Sequence, residues 1–353
     1  MTVRNVRLDR RRMRVLGMGS ALPGPAIETA TLISTVEARF GIAIAGKGMG
    51  IARRLGIRTR HFCRDFAARH EPPRAGDSNP ELAARALEAA LAQARLSPRD
   101  LCYIIGHTAT PHRLMPPNVA FVAERLGFEG PYMELRQACT GFANALVIAQ
   151  GLVSAGPVAV VGSETGSVHL DPLRVLEDTG QLLNLLQMGD GAAAIILAAA
   201  DGEPGAHLAH VYFGQNGTRM SPGLTQEAGS SRPFLDDGML EFTHDYVAVR
   251  DQGPALFESG VAAAASMGAG IDGADLILPH QANGRLADAL AARLGIARER
   301  IAVNADRVGN TGSAAIWLAL AELRPQLPTG ATVLALGAEA TKHMFGGFRY
   351  VHA

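Results

Sequence analysis

The stretch CTGFANALVIAQGL at residues 139–152 has a counterpart in NTGSAAIWLALAEL at residues 310–323. Each stretch opens with a polar residue followed by Thr-Gly and continues as an apolar segment with almost no charged face, which predicts a buried helix. The sequence before each turn also matches. It gives, in order, an apolar strand opened by Asp-Leu, a loop with a histidine, an amphipathic helix ending in Leu-Gly, and a short strand. This internal repeat predicts two similar structural halves.

The repeat also predicts the fold class. Each half alternates strands with helices, which favours an α/β fold with a mainly parallel sheet and right-handed crossovers. We divide the chain into an N-terminal half at 1–200 and a C-terminal half at 201–353. The two buried helices are expected to pair near a pseudo-twofold axis, in a layered α/β/α/β/α stack. The predicted strands are MRVLGMG (13–19), LCYII (101–105), YMEL (132–135), VAVVG (158–162), AAAIILAA (192–199), AHLAHVYFG (206–214), LIL (276–278), IAVN (301–304), TVLALG (332–337) and FRYVH (348–352).

Composition and charge exclude several classes of protein. The 353 residues are 48% hydrophobic and 19% charged, which is typical of a soluble globular protein. Thirty-three basic residues balance thirty-three acidic ones, so nothing requires a nucleic acid or an anionic membrane as partner. Three cysteines are too few for a disulfide framework and favour a reducing, cytoplasmic location. The longest apolar run, at 192–200, is too short to span a bilayer, so no integral membrane segment is expected.

Three polar residues stand at matching places in the two halves. Cys139 lies where a strand turns into a buried helix, and the positive end of that helix is expected to lower the pKa of its thiol. In the second half, His280 follows an apolar strand and Asn310 opens the second turn. Taken singly, each has a structural alternative: a buried cysteine, a surface histidine and a capping asparagine. Pseudo-symmetry is expected to bring thiol, imidazole and amide together, as covalent catalysis requires.

A set of motifs now adds a family resemblance that covers nearly the whole chain. The sequence resembles the β-ketoacyl-acyl carrier protein synthase III family of the thiolase superfamily. Each motif alone is weak, but their common order makes the resemblance specific. The motifs are GIRTRH (56–61), ACTGF (138–142), VGSET (161–165), MGDGAAA (188–194), LPHQAN (278–283) and GNTGSA (309–314).

The resemblance implies a ketosynthase, an acyltransferase that forms carbon–carbon bonds. Cys139 would accept an acyl group from coenzyme A or acyl carrier protein, and a second malonyl or β-ketoacyl thioester would supply a carbanion. His280 and Asn310 would hydrogen-bond the thioester carbonyl where enolate charge develops. The N–H of Cys139 would hold the tetrahedral oxyanion together with a glycine N–H, for which Gly337, Gly346 or neither is the candidate. No metal or redox cofactor is implied.

The resemblance also implies a homodimer and a substrate tunnel. Met115 is the candidate for lining the acyl pocket of the partner. A tunnel for the pantetheine arm would pass the basic cluster at Arg53, Arg54 and Arg58. Thr140, beside the nucleophile, replaces a smaller residue and is a further candidate for contact with substrate.

Some segments depart from the family pattern and leave the substrate open. The last loop of the family is usually glycine-rich, but here it reads LGAEATKHMFGGFRY at 336–350. Arg136 and Gln137 replace the small apolar residues that usually precede the nucleophile. The stretch at 215–251 is long and polar. These departures favour a specialised member of the kind that joins two acyl chains in resorcinol or cyclohexanedione lipid synthesis. The alternative on the same fold is transfer of the acyl group from Cys139 to a hydroxyl acceptor without condensation.

Two rival classes and one metal site fit the sequence less well. Papain-like hydrolases use Cys, His and Asn in the same chain order, but they lack an internal repeat that pairs the cysteine helix with an asparagine helix. A catalytically silent partner subunit would be expected to lack Cys139. His61, Cys63 and His70 have no second ligand pair at a suitable spacing, so no zinc site is predicted.

Overall fold

A computed structural model describes residues 6–226 and 240–353, so part of the polar stretch at 215–251 lies outside the described residues. The strands of the first half are β1 (Val6–Asp9), β2 (Met13–Ala21), β3 (Ile27–Glu28), β4 (Thr59–Arg60), β5 (Tyr103–His107), β6 (Tyr132–Leu135), β7 (Val158–Glu164) and β8 (Gly191–Ala199). Those of the second half are β9 (His207–Gln215), β10 (Leu224–Gln226), β11 (Phe242–His244), β12 (Leu276–Pro279), β13 (Thr332–Glu339) and β14 (Met344–Val351).

The helices follow the pattern of the repeat. They are α1 (Thr29–Phe40), α2 (Ala45–Leu55), α3 (Asn79–Ala94), α4 (Asn118–Leu126), α5 (Gly141–Leu152), α6 (Thr179–Gln187), α7 (Tyr246–Ser266), α8 (Leu286–Leu294), α9 (Ala305–Val308) and α10 (Ala315–Leu323). The equivalent helices α4 and α8 both end at a glycine in the left-handed region, Gly127 with φ 63° and Gly295 with φ 65°. A residue without a Cβ atom adopts this conformation at little cost, which explains the repeated Leu-Gly.

Strand order confirms that the two halves share one topology. The main sheet runs β12-β13-β14-β9-β2-β8-β7-β5-β6, with β1 paired to β9. From the centre of the sheet outward, the strands of the two halves follow the same order. The first strand of the half comes first (β2 or β9), then its last two strands (β8 and β7, or β14 and β13), then the strand before the histidine-containing loop (β5 or β12). The halves meet where β2 pairs with β9 through Met13↔Leu208 and Arg14↔His207.

Two details of the predicted sheet are wrong. Parallel pairing is confined to β5 with β6 and β7, and β12 with β13, so the main sheet is mixed rather than mainly parallel. Antiparallel pairing arises where a short connection returns the chain at once, as in the hairpin from β13 to β14. The predicted strand at 301–304 is reduced to the single bridge Ile277↔Ile301. The side chain of Gln281 takes the carbonyl of Ala302 and the N–H of Asn304, which a longer ladder would need.

The two predicted buried helices lie between the halves. Helix α5 contacts β5 and β7 of the first half and β9 and β14 of the second, while α10 contacts β2, β8 and β12. Three buried aromatic rings join the two helices to the sheet. Phe142 of α5 lies 5.7 Å from Trp317 of α10, and Trp317 stacks on Phe348 of β14 at 5.5 Å. Such rings carry much of the apolar area that a core removes from water. The pairing of the helices is therefore part of the core that unites both halves.

Within residues 6–226 and 240–353, no helix combines the length and the apolar character needed to cross a bilayer.

Candidate active site

Cys139 lies between the end of β6 and the start of α5. The next residue, Thr140, occupies the N-cap position of α5. Its backbone N–H and its hydroxyl both contact one carboxylate oxygen of Glu339, Oε2, at 2.8 and 2.6 Å. Glu339 is the last residue of β13 and is buried. A carboxylate from the second half thus caps the helix that begins beside Cys139, where the first N–H groups of a helix need acceptors.

His280 directly follows β12. Its backbone N–H donates to the carbonyl oxygen of Leu336 in β13 at 2.8 Å. Its side chain is 4% exposed, and Nδ1 has no hydrogen-bond partner among the described residues. Burial lowers the pKa of His280 to about 4, because the low-dielectric surroundings disfavour the charged imidazolium. The ring is therefore neutral at physiological pH.

Asn310 lies in the turn before α10. Its side-chain Oδ1 accepts a hydrogen bond from the N–H of Gly312 at 3.0 Å, which forms a tight turn. Its backbone N–H donates to the carbonyl of Gln187 at 2.8 Å, and its carbonyl accepts from the N–H of Gly189 at 3.0 Å. With Oδ1 used by the turn, the Nδ2 group is the part of the side chain that is left for a ligand.

Two more hydrogen bonds complete a closed ring of segments. The side-chain Nε2 of Gln187 donates to the carbonyl of Ala282, two residues after His280, at 2.9 Å. The hydroxyl of Ser313 donates to the carbonyl of Gln137, two residues before Cys139, at 3.1 Å. The cysteine loop is thus bonded to β13, and β13 to the histidine loop. Gln187 at the end of α6 links the histidine loop to the asparagine turn, and that turn is bonded back to the cysteine loop. The structure brings the three predicted residues onto one ring.

A second buried carboxylate, Glu164 at the end of β7, holds two of these segments together. Its Oε1 accepts hydrogen bonds from the N–H of Ala109 at 3.0 Å and from the hydroxyl of Ser313 at 2.5 Å. Its Oε2 accepts from the hydroxyl of Thr110 at 2.6 Å. Burial raises the pKa of Glu164, and these hydrogen bonds oppose that rise. The glutamate of the VGSET motif thus fixes the asparagine turn against the first half.

The expectation of a lowered thiol pKa at Cys139 is wrong. The thiol keeps some exposure, but it is surrounded by protein atoms, and this desolvation raises its pKa well above the ordinary value. The carboxylates of Glu339 and Glu164 raise the pKa further, since negative charge disfavours a thiolate. The helix terminus was predictable from the sequence, but the carboxylate of Glu339 beside it was not.

The strand register shows where the N–H groups of the two oxyanion candidates, Gly337 and Gly346, point. Leu336 accepts from His280 and so directs its polar groups toward β12. Successive residues of a strand face opposite neighbours, so Gly337 directs its N–H toward β14, where it is paired with Gly346. The N–H groups of Gly337 and Gly346 are therefore used within the sheet, and neither fits the predicted oxyanion role.

Packing supplies a different reason for this glycine pair. A Cβ atom at Gly337 would lie 2.7 Å from the ring of Phe142, and one at Gly346 would lie 2.5 Å from the Cβ of Ala143. Real Cβ contacts are never that short. The two glycines therefore let the first turn of α5 approach the sheet closely.

The substrate-contact candidates Thr140 and Met115 lie in contrasting places. Thr140 is fully buried and its hydroxyl donates to Glu339, which does not fit a side chain that lines a tunnel. Met115 is 85% exposed and belongs to a loop away from the core of this chain. The predicted contact of Met115 with a partner's acyl pocket stays a prediction.

The basic candidates lie at the surface beside the histidine loop. Arg53 is exposed in the last turn of α2, and Arg58 is exposed and paired with Asp306 at 2.7 Å. The N–H of Gly284, in the loop after β12, donates to the carbonyl of Leu55 at the end of α2. Hydrogen bonding thus joins the basic end of α2 to the loop that carries His280. A tunnel along this route stays a prediction.

His107, the first-half equivalent of His280, is fully buried beneath the cysteine loop. Cβ atoms placed on Gly141 or Gly162 would touch its ring, and its nitrogens have no hydrogen bonds of normal geometry among the described residues. Burial lowers the pKa of His107 to about 3, with the backbone of Ala138 acting weakly in the opposite direction. This favours the structural interpretation of His107. The other histidine of that loop, His112, packs edge-on against Phe121 instead.

His107 makes stability depend on pH. Because its pKa is depressed on folding, the unfolded chain binds the proton more tightly, and stability is lost as pH falls below about 6.5. At pH 5 we expect this histidine alone to lower the free energy of unfolding by about 2 kcal/mol. Urea unfolding of His107→Leu should show a shallower loss between pH 7 and 5 than the parent shows. Equal slopes would refute this assignment.

Comparisons with known proteins agree with this arrangement. Family models described as 3-oxoacyl-[acyl-carrier-protein] synthase III and its C-terminal part match residues 133–217 and 264–342. The 3-oxopimeloyl-[acyl-carrier-protein] synthase of Rhodothermus marinus is 34% identical over 88% of this chain and 85% of its own length. The β-ketoacyl-[acyl-carrier-protein] synthase III of Brucella suis is 30% identical over 87% of this chain and 88% of its own length.

Solved structures show the same fold. The tetronic acid condensing enzyme AbyA1 superposes with a TM-score of 0.83 and 29% identity, over 96% of this chain and 99% of that one. The 3-oxoacyl-(acyl carrier protein) synthase III of Pseudomonas aeruginosa gives a TM-score of 0.76 and 29% identity, over 97% and 98%. The thiolase-like fold that the resemblance implies is thereby confirmed. The chain belongs to the 3-oxoacyl-[acyl-carrier-protein] synthase III family of condensing enzymes.

Proposed function

We propose that Cys139 accepts an acyl group from an acyl carrier protein or coenzyme A thioester and passes it to a carbanion derived from a second thioester. In the first step the sulfur of Cys139 attacks the thioester carbonyl, the bond to the carrier sulfur breaks, and the proton of the Cys139 thiol ends on that sulfur, so the carrier leaves as a thiol. In the second step a malonyl thioester loses carbon dioxide, or a β-ketoacyl thioester loses a proton. The carbanion then attacks the acyl carbonyl and releases Cys139. Neither step needs a metal or redox cofactor.

The observation that carries this proposal is the hydrogen-bonded ring that holds Cys139, His280 and Asn310. A neutral imidazole and an amide Nδ2 are suitable donors to the carbonyl oxygen of the second thioester, where negative charge develops. The low pKa of His280 favours this role, because the neutral ring donates from one nitrogen without needing a proton from solvent. Donors fixed before the reaction need no rearrangement when the charge appears.

The surface around the histidine loop suits an anionic carrier. Arg53, Arg58 and Arg285 are exposed there, and the side chain of Arg285 lies against Gly56 at the end of α2. Guanidinium groups bind phosphate well, and a phosphopantetheine arm carries phosphate. We therefore place the entry of the carrier arm beside these residues.

We infer a specialised substrate, with two acyl units as reactants and resorcinol- or cyclohexanedione-type lipids as the product class. Glu339 stands where the family pattern is glycine-rich, and the described part of 215–251 packs on the same hairpin, since the N–H of Gly223 donates to the carbonyl of Ala340. AbyA1 and the synthase of Rhodothermus marinus are condensing enzymes whose names give more specific products. The unusual hairpin that carries Glu339 is compatible with a family member that makes a similarly specific product.

Intact-protein mass spectrometry with a panel of acyl and β-ketoacyl thioesters tests the proposal. We expect a covalent acyl adduct that peptide mapping places on Cys139. A malonyl or β-ketoacyl thioester added next should discharge the adduct into a product longer by the second unit. Discharge to a hydroxyl acceptor alone would replace condensation with simple acyl transfer. No adduct with any thioester would refute the proposal and favour the silent-subunit alternative.

We also propose a homodimer that joins two main sheets at β6. This strand ends the main sheet and pairs with β5 alone among the described strands. Large apolar side chains are exposed on it and on the neighbouring loop: Tyr132 at 41%, Leu114 at 63% and Met115 at 85%. An unpaired edge with exposed apolar groups is unstable in a monomer. Light scattering should give twice the chain mass of 37.0 kDa, and a monomer at micromolar concentration would refute the interface.

A further inference from the structure

Glu339 is a buried carboxylate placed beside the nucleophile by a strand of the other half. One oxygen, Oε2, accepts from both donors of Thr140, and the other, Oε1, accepts from the hydroxyl of Thr341. The side chain is 1% exposed, so water does not screen it. Its charge therefore acts on Cys139 through a medium of low dielectric constant.

The hairpin that carries Glu339 is held in place. Residues 216–223 lie along its tip, where the N–H of Asn216 donates to the carbonyl of His343 at 2.8 Å. The ring Nε2 of His343 lies 2.9 Å from the carbonyl of Ser221, and His343 is 2% exposed. These contacts, together with the cap on Thr140, fix the carboxylate at the start of α5.

We propose that Glu339 is a positioning residue that keeps Cys139 as an uncharged thiol in the resting enzyme. The proposal rests on the proposed function, in which Cys139 is the nucleophile. The carboxylate occupies the positive end of α5, which would otherwise stabilise a thiolate. The carboxylate already accepts hydrogen bonds from the N–H and the hydroxyl of Thr140, so these donors are not free to stabilise a thiolate at Cys139.

The other groups that face Cys139 do not cancel this effect. Glu164 at the end of β7 adds a second negative charge and opposes the thiolate as well. Glu134 on β6 is a further acidic group, and Arg136, three residues before Cys139, is exposed, so water screens its charge.

His107 on β5 and His280 after β12 are titratable groups on two other neighbouring strands. Burial keeps both rings neutral at physiological pH, so no cation among these groups supports a thiolate. The resting site is thus protected from adventitious alkylation and oxidation, which attack thiolates.

The pH dependence of iodoacetamide alkylation at Cys139 tests this inference without any acyl donor. In the parent enzyme we expect the rate, followed by mass spectrometry of the Cys139 peptide, to rise with pH beyond about pH 9 without levelling. Glu339→Gln keeps an acceptor for Thr140 but removes the charge. It should shift the profile down by about one pH unit, which is about tenfold faster alkylation at pH 8.

Matched measurements separate charge from packing. Thr341→Val removes a hydrogen bond to Glu339 but keeps the charge of Glu339. The pH profile of Cys139 alkylation in this variant should therefore match that of the parent. Cys102, in the same sample, should react alike in all variants. A folded Glu339→Gln protein with the parental profile would overturn the inference. If the Glu339→Gln variant does not fold, the parent enzyme alone tests the inference. A Cys139 alkylation rate that levels off below about pH 8.5 in the parent would overturn it. Acylation by thioesters is a separate measurement, so failure here leaves the proposed function intact.

Discussion

Cys139→Ala is expected to abolish the acyl adduct and to slow condensation on the order of 10³-fold or more, since the covalent route depends on this sulfur. In the proposed function the thiol of Cys139 is the nucleophile, and the residue lies in the loop that opens α5. Alanine keeps the backbone N–H and the cap at Thr140, so the site should stay folded. Intact mass spectrometry and product formation from labelled malonyl thioester measure the two losses separately.

Decarboxylation should survive in this variant, because His280 and Asn310 remain. Carbon dioxide release from a malonyl thioester without product would therefore separate the carbanion-forming half of the reaction from the acylation half. Cys102→Ala is the matched control. Its sulfur contacts the carbonyl of Gly156 at 3.2 Å, remote from the ring, and it should retain the adduct. An adduct of undiminished yield in Cys139→Ala would place the nucleophile elsewhere.

The repeat explains why so much of the fold could be predicted from sequence. Two copies of one pattern fix which strands are equivalent, and equivalent strands occupy equivalent places in the sheet. Buried helices α5 and α10 were predictable because they lack a charged face. The positions of Cys139, His280 and Asn310 followed, because each stands at a strand end or a turn that the repeat defines.

What depended on tertiary contacts could not be predicted. The sequence shows Glu339 in an unusual loop, but not that its carboxylate reaches Thr140 in the other half. Burial of the thiol, and after it the charges of Glu339 and Glu164, raise the pKa of Cys139 and so reverse the direction expected from the helix terminus. The family resemblance implies an oxyanion donor from a glycine of the last loop, and Gly337 and Gly346 are the candidates there. Their pairing across two strands, which uses those N–H groups, is a property of register.

His280→Ala is the second variant with a large expected effect. It should lower the rate of condensation by about 10²- to 10³-fold, which is the usual cost of removing one donor to a developing oxyanion. Acylation of Cys139 should persist, since the thiol and its helix are unchanged. The acyl adduct should therefore accumulate when a malonyl thioester is added. Rapid-quench mass spectrometry of the adduct, with and without the malonyl thioester, measures this separation.

The neutrality of His280 adds a second test of its role. Its pKa of about 4 means that the ring does not change charge between pH 6 and 8, so decarboxylation by the parent should show no step from this group in that range. Asn283→Ala is the control in the same loop. Its Oδ1 accepts from the backbone N–H of Arg285 at 2.9 Å, outside the ring, and the variant should keep most of its activity. If His280→Ala lost acylation as well as condensation, the imidazole would be acting on the thiol, and its assignment as a donor to the second thioester would be wrong.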